Sequence, residues 1–302
     1  MTAPLSPAVF PQKVDAAHRI FQAVLGPTTP DKVFLERQVT ISDDGRRLYE
    51  HTANNRLLAE AVLGADFPRV AGPADLEHYT PFAGLRGVVT SKQLHLYPVA
   101  RYLHQHEFAT FAREHDLDGY FDLNDRGQQV LEELSKDLFF VSMTRPGNPD
   151  EDMLWQTFAD DGRGVRLRMR VTPRPPADLR IMNYQTGSPT ALKRINDDLR
   201  AKLELVYTPW TISRICAFYL TLGYRPEREV RLMLKRHEGG PDRTTTSGQH
   251  EIWPVPLATP GGTTGNEWCE IELVEITAGP RCSSAAVQNL LAGSVYAGVP
   301  VS

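Results

Sequence analysis

The stretch "EREVRLML" (residues 227–234) decides the fold. Its side chains alternate: Val230, Leu232 and Leu234 point one way, Glu229, Arg231 and Met233 the other. That is a strand with one face for a core and one face holding a carboxylate beside a guanidinium. "VRLRMRV" (165–171) repeats the pattern, with Val165, Leu167, Met169 and Val171 against Arg166, Arg168 and Arg170. On "CEIELVEI" (269–276), Cys269, Ile271 and Leu273 alternate with Glu270 and Glu272. An arginine face and a glutamate face are predicted to pair across a sheet. Pairing accounts for the arginine ladder better than phosphate binding does.

Outward from these strands, helices and short strands follow in no regular βαβ order, which points to α+β rather than a doubly wound sheet. "KVDAAHRIFQAVLG" (13–26) and "RLYEHTANNRLLAEAVLG" (47–64) both carry helical spacing. "DFPRVAGPAD" (66–75), with two prolines and a glycine, reads as an irregular linker. It separates an N-terminal helical extension, residues 1–72, from a main domain, residues 73–302. The extension is expected to pack on that domain, because its apolar face must be covered. Thr80 as N-cap and Pro81 at the first helical position predict a helix carrying Phe82, Leu85, Val88 and Val89 on one face. "LFFVSMT" (138–144) is an apolar strand, residues 189–222 are mostly helical, and "SSAAVQNLLAG" (283–293) is a last helix.

Composition narrows the function. The chain has 302 residues, 41% hydrophobic and 23% charged, with net charge −4. That is an ordinary soluble balance, and it argues against a nonspecific DNA coat, which needs net basic charge. Cys216, Cys269 and Cys282 form no CxxC and cannot all pair with one another, so a reducing cytoplasm is expected. The start of the chain carries no signal-peptide pattern. The most apolar segment, "ICAFYLTLGY" (215–224), is about half the roughly 20 residues a membrane helix needs. No membrane partner is expected, and the oligomeric state is open.

Three constellations carry candidate chemistry. Glu229 and Arg231 can hold each other still. On pattern alone they are a surface ion pair; in a cleft, such a carboxylate can stabilise a developing cation. His78, Tyr79 and Thr80 stand just before a helix, as core and cap residues or as the floor of a ligand site. "LHQHEF" (103–108) offers His104, His106 and Glu107, a weak metal pattern with no second ligand cluster. GxGxxG, P-loop and GxSxG patterns are absent.

In order, "LEHYTPFAGLRGVVTSKQLHLYPVARYL", "LFFVSMT", "LWQTFADDGRGVRLRM", "YRPEREVRLML" and "EITAGPRCSSAAVQNLL" resemble the successive segments of a large bacterial family of domains of unknown function. The resemblance runs over about residues 76–292 and is strongest from Trp155 to Val165 and at Glu229-x-Arg231. It departs at "HQHEF", where the family usually has an acidic element, and it leaves out residues 1–70. The family skeleton is in turn similar to ADP-ribosyltransferases. That similarity implies a split mixed or antiparallel sheet around a central cleft, with helical insertions, and NAD bound in the cleft as substrate. It implies Glu229 as the catalytic carboxylate and Arg231 as its orienter, with His78 and Thr80 binding NAD. Tyr79, Trp155 or Phe158 would offer aromatic surface to the nicotinamide. The implied enzyme is a cytoplasmic NAD-dependent glycosyltransferase of toxin or antiphage-defence type. Its acceptor, a protein or a nucleic acid, is not named by the sequence. A non-catalytic nucleotide- or protein-binding module on the same scaffold, and a metal-dependent hydrolase or nuclease, are the alternatives. Glu227 stands in reserve for the catalytic role.

Overall fold

The computed structural model describes residues 9–51, 56–101, 107–184, 188–209, 212–236 and 243–302. In chain order the elements are α1 (Val9–Leu25), α2 (Asp31–Leu35), β1 (Val39–Ile41), β2 (Arg47–Glu50), α3 (Leu57–Asp66), β3 (Ala74–Thr80), α4 (Phe82–Ser91) and β4 (Gln93–Pro98). There follow α5 (Glu107–Glu114), α6 (Val130–Lys136), β5 (Leu138–Thr144), α7 (Glu151–Phe158), β6 (Val165–Pro173), β7 (Asp178–Ile181), β8 (Asn183–Tyr184) and α8 (Ala191–Leu203). The chain ends with β9 (Val206–Tyr207), α9 (Ile212–Ala217), β10 (Tyr219–Leu220), β11 (Glu229–Lys235), β12 (Thr245–Ser247), β13 (His250–Pro256), β14 (Cys269–Ala278) and α10 (Ser284–Leu291). With 38% helix, 29% strand and mixed and antiparallel sheets, the fold is α+β. No helix among the described residues is long and apolar enough to cross a membrane.

The chain divides into two compact units. One comprises residues 1–68, 106–131 and 185–220; the other comprises residues 69–105, 132–184 and 221–302. The first crossing, after Pro68, falls near the break expected at residue 72. Residues 106–131 and 185–220, expected within the main domain, belong instead with the N-terminal helices.

In the first unit α1 packs against α8. Phe21 meets Tyr207 edge-on, with ring centroids 5.2 Å apart. Buried Asn196 donates to the Tyr207 carbonyl (3.1 Å) and accepts from its N–H (2.8 Å), which ties α8 to β9. The helix expected over 47–64 forms only from Leu57 onward. Residues 47–50 are a strand paired with β1 and β9, because Leu48 and Glu50 alternate inward and a period of two wins there. The Glu50 carboxylate then accepts from the N–H groups of Leu58 (2.8 Å) and Ala59 (3.0 Å), two of the donors a helix start leaves open.

The second unit is built on a nine-stranded sheet, in the order β12-β13-β4-β5-β3-β6-β14, with β11 lying between β5 and β7. The sheet curls into a half-barrel. β5 is its fork. One edge pairs with β11 from Leu138 to Thr144. The other edge meets β4 at Phe139 and Phe140 and β3 only at Thr144. The two neighbours therefore part between Phe140 and Thr144, and the sheet splits there.

One face of this sheet is the core. Val141, Leu167, Met169, Val230, Leu232 and Ile271 lie on it, joined by Leu85 and Val89 of α4 and Val287 and Leu291 of α10. The alternation read from the sequence fixes these faces. α4 begins at Phe82 with Pro81 as its N-cap and no side-chain cap. Thr80, expected to cap it, is still paired with Val165 as the last residue of β3. The opposite face carries the arginine ladder. Cross-strand partners are Glu77 with Arg168, Asp75 with Arg170, and Glu272 with Arg170. A bulge between Leu273 and Glu275 restores the register, so Glu275 rather than Val274 faces Arg168.

Candidate functional site

Where β3 and β4 separate, a cavity of about 60 Å³ opens on the charged side of the split. Glu77 and Tyr79 of β3, Ser142 and Thr144 of β5, and Glu229 of β11 line it, with Leu154 and Phe158 of α7 opposite. Pairing of Thr144 with both Glu77 and Glu229 sets these side chains on one face. α7 is held over the pocket by the turn after it. Asp160, Asp161 and Gly162 all have positive φ, and Gly164 lets the Thr80 carbonyl approach to within 2.2 Å of where a Cβ would sit.

Glu229 is the most firmly held residue here. Arg231 Nε donates to its Oε1 at 2.6 Å and Arg231 Nη2 to its Oε2 at 3.2 Å, a forked charge-assisted pair. The Ser142 hydroxyl donates to Oε1 as well. The Glu229 N–H donates to the Tyr184 hydroxyl at 2.6 Å. Burial, and then the charge of Glu229, push the Tyr184 phenol well above its usual range. The Arg231 guanidinium lies over the Phe140 ring, 4.3 Å from its centroid. Both Glu229 and Arg231 are 3% exposed, so this is no surface ion pair. A buried carboxylate fixed by a cation and a hydroxyl is pre-organised to face positive charge.

The other expected site residues divide. Tyr79 lines the cavity and stands edge-on to Trp155 at 4.9 Å; burial pushes its phenol up to about 12. Phe158 lines the cavity too and is 39% exposed. Trp155, 7% exposed, packs behind Tyr79, donates its indole N–H to Glu151 (3.0 Å), and does not line the cavity. Thr80 is absent from the lining as well. His78 borders the cavity, but the register puts it on the core side of β3, opposite Glu229. Its Nδ1 hydrogen-bonds the Ser142 carbonyl oxygen (2.8 Å), bridging the split where backbone pairing stops. Burial lowers its pKa, against that hydrogen bond, which favours the uncharged ring. His78 is thus a strut of the fork. His104 and His106 lie outside the described residues, as does the Glu107 side chain. Among the described residues no group of three or more His, Cys, Asp or Glu gathers to hold a metal.

Two site residues escaped the sequence reading. Ser142 is the one hydroxyl within the apolar run of β5 before its terminal Thr144, and it falls opposite Arg231. Glu77, 4% exposed, is a further carboxylate on the cavity wall, beside Glu229 and the reserve candidate Glu227. Its Oε1 lies 3.6 Å from Arg166 Nε, and its Oε2 has no hydrogen-bond partner among the described residues. Burial raises its pKa, against the pull of Arg166. No family model matches the chain, and neither a curated protein nor a solved structure does. The functional reading therefore rests on the site itself.

Proposed function

We propose that the second unit is an NAD-dependent ADP-ribosyltransferase. The observation that carries this reading is the Glu229 carboxylate, locked by Arg231 and Ser142, on the wall of a pocket in a split sheet. Cleavage of the nicotinamide–ribose bond sends the bonding electron pair to the leaving nicotinamide and leaves positive charge on the ribose. A carboxylate already fixed and largely desolvated stabilises that charge without reorganising. The acceptor's nucleophile, on a protein or a nucleic acid, then bonds to the same ribose carbon and loses its proton. Tyr79 and Phe158 give the pocket aromatic walls suited to a flat ring. The pocket's 60 Å³ is well below the roughly 300–1,000 Å³ of common small-molecule sites, so only the nicotinamide end would enter it.

The full engagement of Glu229 favours one rival, a binding module in which the ion pair is purely structural. Incubation of the purified chain with adenylate-labelled NAD and cell lysate separates the two. The transferase reading expects label on an acceptor and release of free nicotinamide, both lost in Glu229→Gln. Bound NAD that stays intact supports the module.

A further inference from the structure

A groove of about 500 Å³ adjoins this pocket and shares Thr144 with it. Two segments form its walls: the bend at residues 145–148, leaving β5, and residues 225–228, the end of a 3-10 helix (Leu222–Glu227) with its cap, leading into β11. Arg145, Arg225 and Arg228 line it and are exposed, and among the described residues no Asp or Glu lines it. Among the described residues no carboxylate pairs with any of the three guanidinium groups. Such a concentration of one charge sign is unfavourable for the chain alone and favourable for a bound anion. The segments are also fixed. Buried Asn148 donates to Thr144 Oγ1 (3.2 Å) and to the carbonyls of Pro226 (3.2 Å) and Glu227 (3.0 Å), stapling one segment to the other. Arg228 sits at φ 46°, a left-handed conformation that favours glycine or asparagine.

We infer that Arg145, Arg225 and Arg228 bind the diphosphate of a nucleotide. The assignment to a nucleotide rests on the transferase reading; the anion site rests on the arginines alone. The groove supplies the room the small pocket lacks, and guanidinium forks match phosphate oxygens in pairs. A dinucleotide would lie with its diphosphate in the groove and its nicotinamide end past Thr144.

Calorimetric titration of the full chain with ADP-ribose, and separately with inorganic pyrophosphate, tests this. The triple variant Arg145→Gln/Arg225→Gln/Arg228→Gly changes only exposed side chains; Arg170→Gln is the control. The expected result is binding of both anions, weakened about tenfold or more in the triple variant and unchanged in the control, with wild-type affinity falling as salt rises. Arg228→Gly alone is expected to weaken binding several-fold, which covers a triple variant that fails to fold. Equal ADP-ribose binding by wild type and variants overturns the inference while leaving the transferase reading intact. Pyrophosphate binding through the arginines without ADP-ribose binding overturns the nucleotide assignment, and the transferase reading then stands or falls on label transfer from NAD alone. Binding of neither anion overturns the site.

Discussion

The second unit carries two sets of arginines, and they differ in what faces them. Those of β6 each meet carboxylates: Arg166 meets Glu77 and Glu151, Arg168 meets Asp75 and Glu275, and Arg170 meets Asp75 and Glu272. Those of the groove, Arg145, Arg225 and Arg228, meet none among the described residues. The first set lies on a strand whose register dictates its partners. The second lies outside the strands, on the bend after β5 and at the end of a 3-10 helix, where no strand register supplies partners. Paired arginines on a strand are architecture, whereas unpaired ones converging on a groove call for a ligand.

The largest effect falls on Arg231's partner, where a paired arginine reaches the site. Glu229→Gln is expected to reduce nicotinamide release by about two to three orders of magnitude, the size of one lost transition-state contact. An apolar double substitution, Glu229→Leu with Arg231→Met, should fold yet stay inactive, since removing both partners avoids a lone buried charge. Thermal melts alongside activity assays check both. Full turnover in Glu229→Gln would shift the catalytic role to Glu227.

The ladder should answer in stability instead. Arg166→Met removes a cation beside buried Glu77 and is expected to lower unfolding free energy by about 2 kcal/mol, less than a fully buried pair would lose, because Arg166 is half-buried. Denaturant titration measures it, and an unchanged midpoint would break the assignment of Arg166 to architecture. Glu77 also sets a pH dependence. Its pKa is raised in the fold, so the folded state binds more protons than the unfolded chain between the ordinary carboxyl value and the raised one. Stability from this group therefore grows as pH falls through that window, and Glu77→Gln should remove that slope.

The smallest effects sharpen the contrast. Arg170→Gln, at a half-exposed ion pair, should cost under about 1 kcal/mol, and less at high salt. Arg228→Gly should cost nothing measurable or stabilise slightly, because relief of a positive φ worth roughly 1 kcal/mol offsets the extra freedom of the unfolded chain. A marked loss of stability in Arg228→Gly would mean that its guanidinium serves the fold.

These regions also differ in how legible they were. The alternation in "VRLRMRV" and "EREVRLML" predicted which side chains share a face in β6 and β11, because a strand's period converts sequence directly into facing, but not that β11 is buried on both faces. Glu229 and Arg231 were found for the same reason. The fork at β5 was implied only by resemblance, since which neighbour leaves a strand is a long-range matter. Glu77 was missed: it lies next to His78 in sequence but on the other face, and its role appears only once Thr144 is paired with it. The groove could not be read at all. Arg145 and Arg228 are far apart in the chain and line one groove because Asn148 joins their segments. Residues 47–50 misled for a local reason, since so short a run fits either period.

Hydrogen–deuterium exchange of the full chain with and without NAD tests the division most directly. Bound NAD is predicted to slow exchange over residues 142–148 and 225–231 and to leave residues 166–170 unchanged. Slowed exchange along residues 166–170 with none in the other two segments, or no change anywhere at saturating NAD, would contradict it.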